Sequence, residues 1–544
     1  SYPFIYLYDR ALTWFWNSRY ENLEVLNFEE IRKIAPSTSL IFSPCHRSHI
    51  DYLALSYLLY YKDLMLPQIV AGKNLNLPLV GPLLRKGGAF FMRRSFSNNR
   101  LYSVVFYEHL KKLMQRGHSI EFFPEGGRSR SGKLMPPRPG IISMILRSFL
   151  GMDEKQVSFV PISINYEKVL EGNSYINEVM GAEKKKENLK DIFSVFRDFR
   201  NYLGEAYLQF GEPINLNALL KEYPLSDYSS EKDWLFKVTP VLGKKIMTTI
   251  NDSTVVTSTA LFSLAILNSD GFSISNRELV SRIELLKSLL AEDKYSAKTL
   301  ICEKTGEEII DQMRKLGFLS KEGINDRISL TNLEAAKLSF YRNNISHLLI
   351  FESLICGFFQ YQKEIIKEDL LQSIKMIYPF LKEEFFLKWD EADLDQLINL
   401  KLNKLINKNL ILEDSNVYKR PDFKSREFYE TQSLGKLVQP SIDRFYVLIS
   451  QLWKNSAEHI SKNELERNSL EILKNLEKTQ ARLTPEFSEK WMFDVFLNRL
   501  IENKYVREDD KGMLYPTRIT QRLEKDANKF LEPNWLKELS KSTT

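Results

Sequence analysis

The stretch Ser39-Leu40-Ile41-Phe42-Ser43-Pro44-Cys45-His46-Arg47-Ser48-His49-Ile50-Asp51 carries an apolar run into a polar turn, where an imidazole and a carboxylate stand five residues apart. An apolar run bounded by turn residues reads as a buried strand, and the Leu- and Tyr-rich residues that follow read as a helix. This strand, turn and helix start place His46 at the helix entrance and Asp51 in the first turns, close enough for a hydrogen bond. Histidine has an unperturbed pKa of about 6.5, so it accepts a proton near neutral pH; a carboxylate on its far nitrogen fixes the tautomer and stabilises the imidazolium. The pair is a candidate general base. It needs no serine or cysteine nucleophile if the attacking hydroxyl belongs to the substrate. A histidine beside a helix start is also an ordinary capping residue, so the pair alone does not decide function.

Outward from this stretch, short β-like runs alternate with helical patterns such as Leu101 to Arg116. The runs are Gln68 to Ala71, Ala89 to Met92, Ser119 to Phe123, Ser158 to Asn165 and Ala206 to Phe210. This alternation predicts an α/β domain, a mixed sheet flanked by helices, closing near Phe210-Gly211-Glu212-Pro213-Ile214. The polar stretch Glu222 to Asp233 is the first plausible linker, which gives domains 1–225 and 226–544, although Trp234 to Ser253 could pack back on the first. Beyond residue 250 the pattern is mostly helical. A helix ending in a small apolar knot, then two short strands joined by a charged turn, recurs at Glu307 to Thr331, Leu394 to Tyr418 and Phe496 to Pro516. These read as winged-helix-like units. The matched sequence is short, which favours convergence on a common shape over true repetition. Their helices carry both charge signs, so nucleic acid is not an expected partner, and this half reads as a packing, membrane-docking or partner-binding scaffold.

Three further blocks follow the histidine in order: Gly87-Gly88-Ala89-Phe90-Phe91-Met92-Arg93-Arg94, Glu125-Gly126-Gly127-Arg128-Ser129-Arg130-Ser131-Gly132-Lys133, and Pro161 to Val169. From Arg85 to Arg138 twelve Lys or Arg face three Glu, a local balance of +9 in a chain whose net charge is only +6. A solvated basic face is the plain reading. Here, however, several arginines sit in Gly-rich turns whose backbone N–H groups can also face an anion. Guanidinium forks match phosphate oxygens two at a time, so Arg94, Arg128 and Arg130 suit a phosphomonoester dianion better than a neutral polyol. Gly127 to Lys133 nearly satisfies a nucleotide-binding loop, but the next residue is Leu134 instead of Ser or Thr, and Pro136 and Pro137 oppose the helix that should follow. A zinc site from His46, His49 and Asp51 is weak, because no Cys pair has ligand spacing. No metal is expected.

Cys45, Cys302 and Cys356 are odd in number and far apart, which favours a reducing compartment. No run of eighteen apolar residues occurs, so a spanning helix is not expected. Tyr2 to Tyr20 packs eight aromatic residues beside Arg10 and Arg19. It reads equally as an interfacial segment or as a helix clamped onto the α/β domain. Leu75 to Leu84, between Lys73 and Arg85-Lys86, could dip into headgroups or line an acyl groove.

Taken together, PCHRSHIDYL at 44 to 53, GGAFFMRR at 87 to 94, EGGRSRSGK at 125 to 133 and PISINYEKV at 161 to 169 resemble the four blocks of the glycerolipid acyltransferases. In detail they resemble the bacterial membrane-bound glycerol-3-phosphate 1-O-acyltransferases. The resemblance continues through YRNNISHLL at 341 to 349 and YPFLKEEFFLKWD at 378 to 390. It implies transfer of an acyl group from acyl-CoA or acyl-carrier protein, as co-substrate and without a cofactor, to the sn-1 hydroxyl of glycerol 3-phosphate. His46 and Asp51 would be catalytic. Arg47, Arg93, Arg94, Glu125, Gly126, Gly127, Arg128, Ser129 and Arg130 would bind substrate, with Glu125 more suited to bracing its turn than to touching the acceptor. The implied location is the cytoplasmic face of the inner membrane, peripheral or monotopic. The resembled family carries a long region before the first block, and this chain opens on Ser1 only 45 residues ahead of His46, so part of that region is expected to be absent. A dihydroxyacetone-phosphate acyltransferase, a lysophosphatidate acceptor and a non-catalytic scaffold are the alternatives.

Overall fold

In the computed structural model, β2 (Ser39–Pro44) is buried along all six residues and β6 (Val157–Tyr166) along all ten. The structure describes residues 2–76, 78, 80–93, 99–152, 156–172, 202–319, 326–455, 459–480, 489–527 and 529. Strands covered on both faces read as near-continuous apolar runs, which is why these two are legible without alternation. Around them the chain runs α1 (Tyr2–Arg19), β1 (Tyr20–Leu26), α2 (Phe28–Ile34), β2, α3 (Asp51–Tyr61), β3 (Gln68–Gly72), α4 (Val80–Lys86), β4 (Ala89–Met92), α5 (Arg100–Gln115), β5 (Ile120–Glu121), α6 (Pro139–Leu150), β6, β7 (Gly204–Phe210) and β8 (Ile214–Asn215).

These strands form one sheet in the order β1-β7-β6-β2-β5-β3-β4, with β8 also on β6. The β6-β2-β5-β3-β4 run is parallel, whereas β7 and β8 lie antiparallel to β6, so the sheet is mixed. Parallel strands put all their carboxyl ends on one edge, where open α/β sheets bind ligands. All four blocks leave from that edge: residues 45–51 after β2, Arg93 after β4, the Glu125 loop after β5, and Tyr166 at the end of β6.

The chain divides into two units, Ser1–Thr259 with Lys294–Lys304 and Glu308–Lys321, and Ala260–Asp293 with Thr305–Glu307 and Glu322–Thr544. The boundary expected at residue 225 therefore moves by some thirty residues. Helix Glu231–Asp252 packs against α6 and β6. Two glycines let it come close: a Cβ on Gly243 would lie 3.0 Å from Pro137 Cγ, and one on Gly211 2.7 Å from Thr249 Cγ2. Trp234, fully buried on this helix, donates its indole N–H to the Tyr223 carbonyl at 2.8 Å across the stretch read as a linker. Strand Val255–Val256 then pairs in parallel with Leu300–Ile301 in the same unit.

The second unit is mostly helical. A short strand, two helices and a hairpin occur in it twice among the described residues. Glu364–Ile366 pairs with Val417–Lys419, which pairs with Leu412–Asp414. Ile460–Ser461 pairs in the same way with Met513–Pro516, and that strand with Val506–Glu508. Ser273–Ser275 pairs with Arg327–Ser329, while residues 320–325 fall outside those described. The three share their spacing: Ile274 and Leu279, Ile365 and Leu370, and Ile460 and Leu465 are buried five residues apart. The 364–419 and 460–516 patterns also share a helix cap, a left-handed residue at Asn409 or Lys504. In both, the next N–H reaches back five residues, from Leu410 to Leu405 and from Tyr505 to Leu500.

Candidate active site

Four successive backbone N–H groups, those of His46, Arg47, Ser48 and His49, all donate to carboxylates. His46 N–H reaches Glu125 Oε1 at 2.8 Å, Arg47 and Ser48 N–H reach Asp51 Oδ2 at 2.7 and 2.9 Å, and His49 N–H reaches Glu171 Oε1 at 2.6 Å. Three buried carboxylates from separate parts of the chain thus fix one turn. Asp51, the first residue of α3, also holds His46 Nδ1 at 2.9 Å and accepts from the Tyr166 hydroxyl at 2.7 Å. An ionised carboxylate only accepts, so Nδ1 carries the proton and Nε2 is left with its lone pair for a substrate hydroxyl. The His46 ring stacks on Phe123, with centroids 3.9 Å apart and planes 21° from parallel. It has little room to turn.

The second loop is tied to the first. Ser129 N–H donates to the His46 carbonyl at 2.9 Å, and Arg47 Nη1 to the Gly132 carbonyl at 2.6 Å. Glu125 also accepts from Met135 N–H at 2.9 Å, so its carboxylate clamps both ends of the loop to the histidine turn. Burial outweighs these bonds and raises its pKa to about 7. Gly126 has φ 67°, and a Cβ there would run into Arg138 Cγ at 2.8 Å, so the tight turn requires glycine. A Cβ on Gly127 would meet none of the described residues within 4 Å. Ser129 Oγ donates to the Lys133 carbonyl at 2.6 Å and accepts from Gly132 N–H at 3.0 Å, closing the loop on itself.

The residues expected from the sequence separate by what they touch. His46, Asp51, Glu125, Ser129 and Arg47 interlock through these bonds. Arg47 was expected among the substrate ligands, but its guanidinium is buried and bonded to a loop carbonyl, a bracing position. Arg128, with a side chain 9% exposed, stands 3.8 Å from Glu171, and Arg130 is half-buried on the same loop. Arg93 is exposed at the end of β4, its guanidinium 4.9 Å over the Tyr102 ring. Arg94 lies outside the described residues. Cys45 is fully buried against Ile164, which donates its N–H to Sγ at 3.2 Å, and burial pushes the thiol up to about 11. This environment disfavours a thiolate nucleophile.

Tyr166, Glu171 and Phe123 carried no assigned role in the sequence. Burial holds the Tyr166 phenol far above its ordinary range, so it remains a donor to Asp51. Glu171 lies 123 residues from Ser48, a pairing no local spacing reveals. Glu121, on β5, is fully buried with no hydrogen-bond partner among the described residues; burial and the nearby Asp51 raise its pKa well above the carboxylate range.

A family model described as acyltransferase matches residues 24–165, and one described as glycerol-3-phosphate acyltransferase C-terminal region matches residues 175–509. The chain belongs to the glycerol-3-phosphate acyltransferase family. A relative of that name from Pseudomonas paraeruginosa is 35% identical over 542 residues, covering 98% of this chain and 65% of the relative. One from Pseudomonas putida is 36% identical over 522 residues, covering 94% and 63%. The chain thus spans a little under two thirds of the length of these glycerol-3-phosphate acyltransferases. Among solved structures, the 1-acyl-sn-glycerophosphate acyltransferase of Thermotoga maritima matches at 18% identity over 45% of this chain and 77% of that one; its TM-score of 0.26 carries no argument.

Proposed function

We propose that the chain transfers an acyl group from an acyl thioester to the sn-1 hydroxyl of glycerol 3-phosphate, giving lysophosphatidate and a free thiol as a first step of phospholipid synthesis. The observation that carries this reading is the His46–Asp51 pair at 2.9 Å, locked by four amide–carboxylate bonds and opening beside the Arg128 loop. His46 Nε2 takes the hydroxyl proton as the oxygen attacks the thioester carbonyl. The C–S bond breaks as the tetrahedral state collapses, and the imidazolium returns the proton to the thiolate. Base assistance is worth roughly 10²- to 10⁴-fold, so positioning supplies much of the rest. Arg128 and Arg130, with Arg93 and Arg94 from the β4 end, hold the phosphate. Gly126 N–H already donates to the Phe123 carbonyl at 3.0 Å, so the neighbouring Gly127 amide is the one suited to the developing oxyanion. Glu125, Ser129 and Arg47 brace. Thioester-to-hydroxyl transfer involves no redox step, so no cofactor enters beyond acyl-CoA or acyl-carrier protein as co-substrate.

The reading includes a peripheral seat on the cytoplasmic face of the cell membrane. No helix among the described residues is long and apolar enough to cross a membrane. The inner face of α1 buries Phe15 and Trp16, whereas Tyr6, Leu7 and Trp14 are 53, 61 and 55% exposed. Tyr60, Tyr61 and Met65 at the end of α3 are exposed too, and Thr13 bonds the Tyr61 hydroxyl at 3.0 Å, which joins the two patches. Lys86 Nζ lies 4.1 Å over the Phe4 ring, adding a cation beside them. In the same reading the stretches Glu307 to Thr331, Leu394 to Tyr418 and Phe496 to Pro516 are winged-helix-like scaffold units.

The test is thiol release from palmitoyl-CoA, and from an acyl-carrier-protein donor, with different acceptors. Glycerol 3-phosphate should support release and glycerol should not. Release with dihydroxyacetone phosphate alone would reassign the acceptor, and no acceptor-dependent release would leave a membrane-associated scaffold.

A further inference from the structure

We propose that Tyr166 is a positioning residue that sets the strength of the general base, by holding the oxygen of Asp51 that His46 does not use. The inference deepens the acyl-transfer reading above and rests on it. Asp51 is fully buried, and its two oxygens are engaged differently. Oδ2 takes His46 Nδ1 at 2.9 Å and the N–H groups of Arg47 and Ser48 at 2.7 and 2.9 Å, all donors from its own turn. Oδ1 takes the Tyr166 hydroxyl at 2.7 Å, from 115 residues away. Tyr166 ends β6 and stands in register with Ala206 on β7, so its hydroxyl is placed by the sheet and not by the turn. The carboxylate that orients the imidazole is thus tied to the turn through one oxygen and to the sheet through the other. Phe123, stacked on the His46 ring at 3.9 Å, completes the hold.

A hydrogen bond donated to a carboxylate disperses its charge. With one donor fewer, Asp51 would hold an imidazolium more strongly, and His46 would keep its proton to a higher pH. Charged and titratable groups reach Asp51 from each element around it: Arg47 in its own turn, Glu121 on β5, Glu125 on the loop that follows, and Glu171 beyond β6. Tyr20, at the start of β1, faces Tyr166 with ring centroids 6.1 Å apart. The three glutamates make the charge on Asp51 more costly, and the Arg47 guanidinium is turned to the Gly132 carbonyl. The Tyr166 O–H offsets them, and the buried phenol keeps its proton. All of these neighbours are common to the parent and to a variant of Tyr166, so their own titration cancels in the comparison.

Tyr166→Phe removes the O–H and keeps the ring. The assay is kcat/KM for glycerol 3-phosphate from pH 5 to pH 9, at saturating palmitoyl-CoA, for the full chain and the variant. The acidic limb, along which His46 loses its proton, should lie about half to one pH unit higher in the variant, so that rates below the limb fall about three- to tenfold more than those on the plateau. 3-Fluorotyrosine placed at position 166 by codon suppression is a stronger donor in nearly the same space. It should move the limb the other way, and it serves if Tyr166→Phe does not fold. A merely structural role lowers the rate by one factor at every pH. Diethyl pyrocarbonate attacks the neutral imidazole, so its rate of reaction at His46, followed by peptide mass spectrometry over the same pH range, should show the same shift without acyl transfer. Limbs and modification profiles that coincide in the folded chains overturn the proposal while leaving acyl transfer intact. A parent without glycerol-3-phosphate-dependent release overturns the acyl-transfer reading, and the modification profiles then decide the part played by Tyr166.

Discussion

Glu125→Gln should make the chain's stability less dependent on pH, by an amount that follows from the carboxyl's surroundings. The side chain is almost fully buried and receives the N–H groups of His46 and Met135 at 2.8 and 2.9 Å. Burial raises its pKa from the ordinary 4.5 to about 7 in the folded chain. Between those values the folded state holds a proton that the unfolded state has lost. Stability is therefore full below pH 4.5 and falls as pH rises through 7. With about 1.36 kcal/mol for each pH unit in that interval, the loss is roughly 3 kcal/mol. Glutamine has the same shape and does not titrate. Its oxygen serves one of the two backbone donors while its NH₂ group faces the other, which costs roughly 1–3 kcal/mol. The variant should thus be less stable than the parent by that amount at pH 5, and the gap should close or reverse by pH 8. Urea unfolding of both chains at pH 5, 6, 7 and 8, followed by near-ultraviolet circular dichroism, measures it, because every other titrating group cancels in the difference. A gap that stays constant over the range would refute the reasoning that burial outweighs the two amide bonds.

Cys45→Ala should keep thiol release within about twofold of the parent, since base catalysis by a positioned imidazole needs no second nucleophile; an acyl-cysteine found by mass spectrometry would overturn the mechanism. Changing Tyr6, Leu7 and Trp14 together to serine should weaken partitioning onto anionic vesicles at least 100-fold, because each large apolar side chain taken from water contributes about 1.5–3 kcal/mol; unchanged co-sedimentation would remove α1 from the membrane face. In the second unit, Glu384→Ala strands the fully buried Arg444, which it meets at 2.9 Å. That change should lower unfolding stability by about 3–5 kcal/mol in urea titration.

How much of this was legible in the sequence depends on how far apart the interacting residues lie. β2 and β4 fall on the expected residues: β2 is buried along its length, and β4, an edge strand with only Ala89 buried, is nonetheless apolar at all four positions. Tyr20–Leu26 was missed: only Tyr20 of this edge strand's seven residues is buried, so its glutamates and asparagine mask the pattern, and it follows directly on the aromatic helix. The polar stretch after Glu222 looks like a linker because it is a surface turn, and composition does not show that the next helix folds back onto β6. In the site, His46 and Asp51 were readable as a local pair. Tyr166 and Glu171 were not, because strand order alone brings them to the same edge from 115 and 123 residues away. Arg47 illustrates the converse. A sequence shows its charge beside the catalytic histidine, but not that a carbonyl 85 residues away takes its guanidinium.

The central claim is that His46 is the base for attack by the acceptor's own hydroxyl. Thiol release from palmitoyl-CoA in mixed micelles, with and without glycerol 3-phosphate, for the parent and for His46→Ala, tests it most directly. The account predicts acceptor-dependent release in the parent and a loss of about 10²- to 10⁴-fold in the variant, with its circular dichroism unchanged. Acceptor-dependent release that persists at the parent's rate in a folded His46→Ala chain would contradict it.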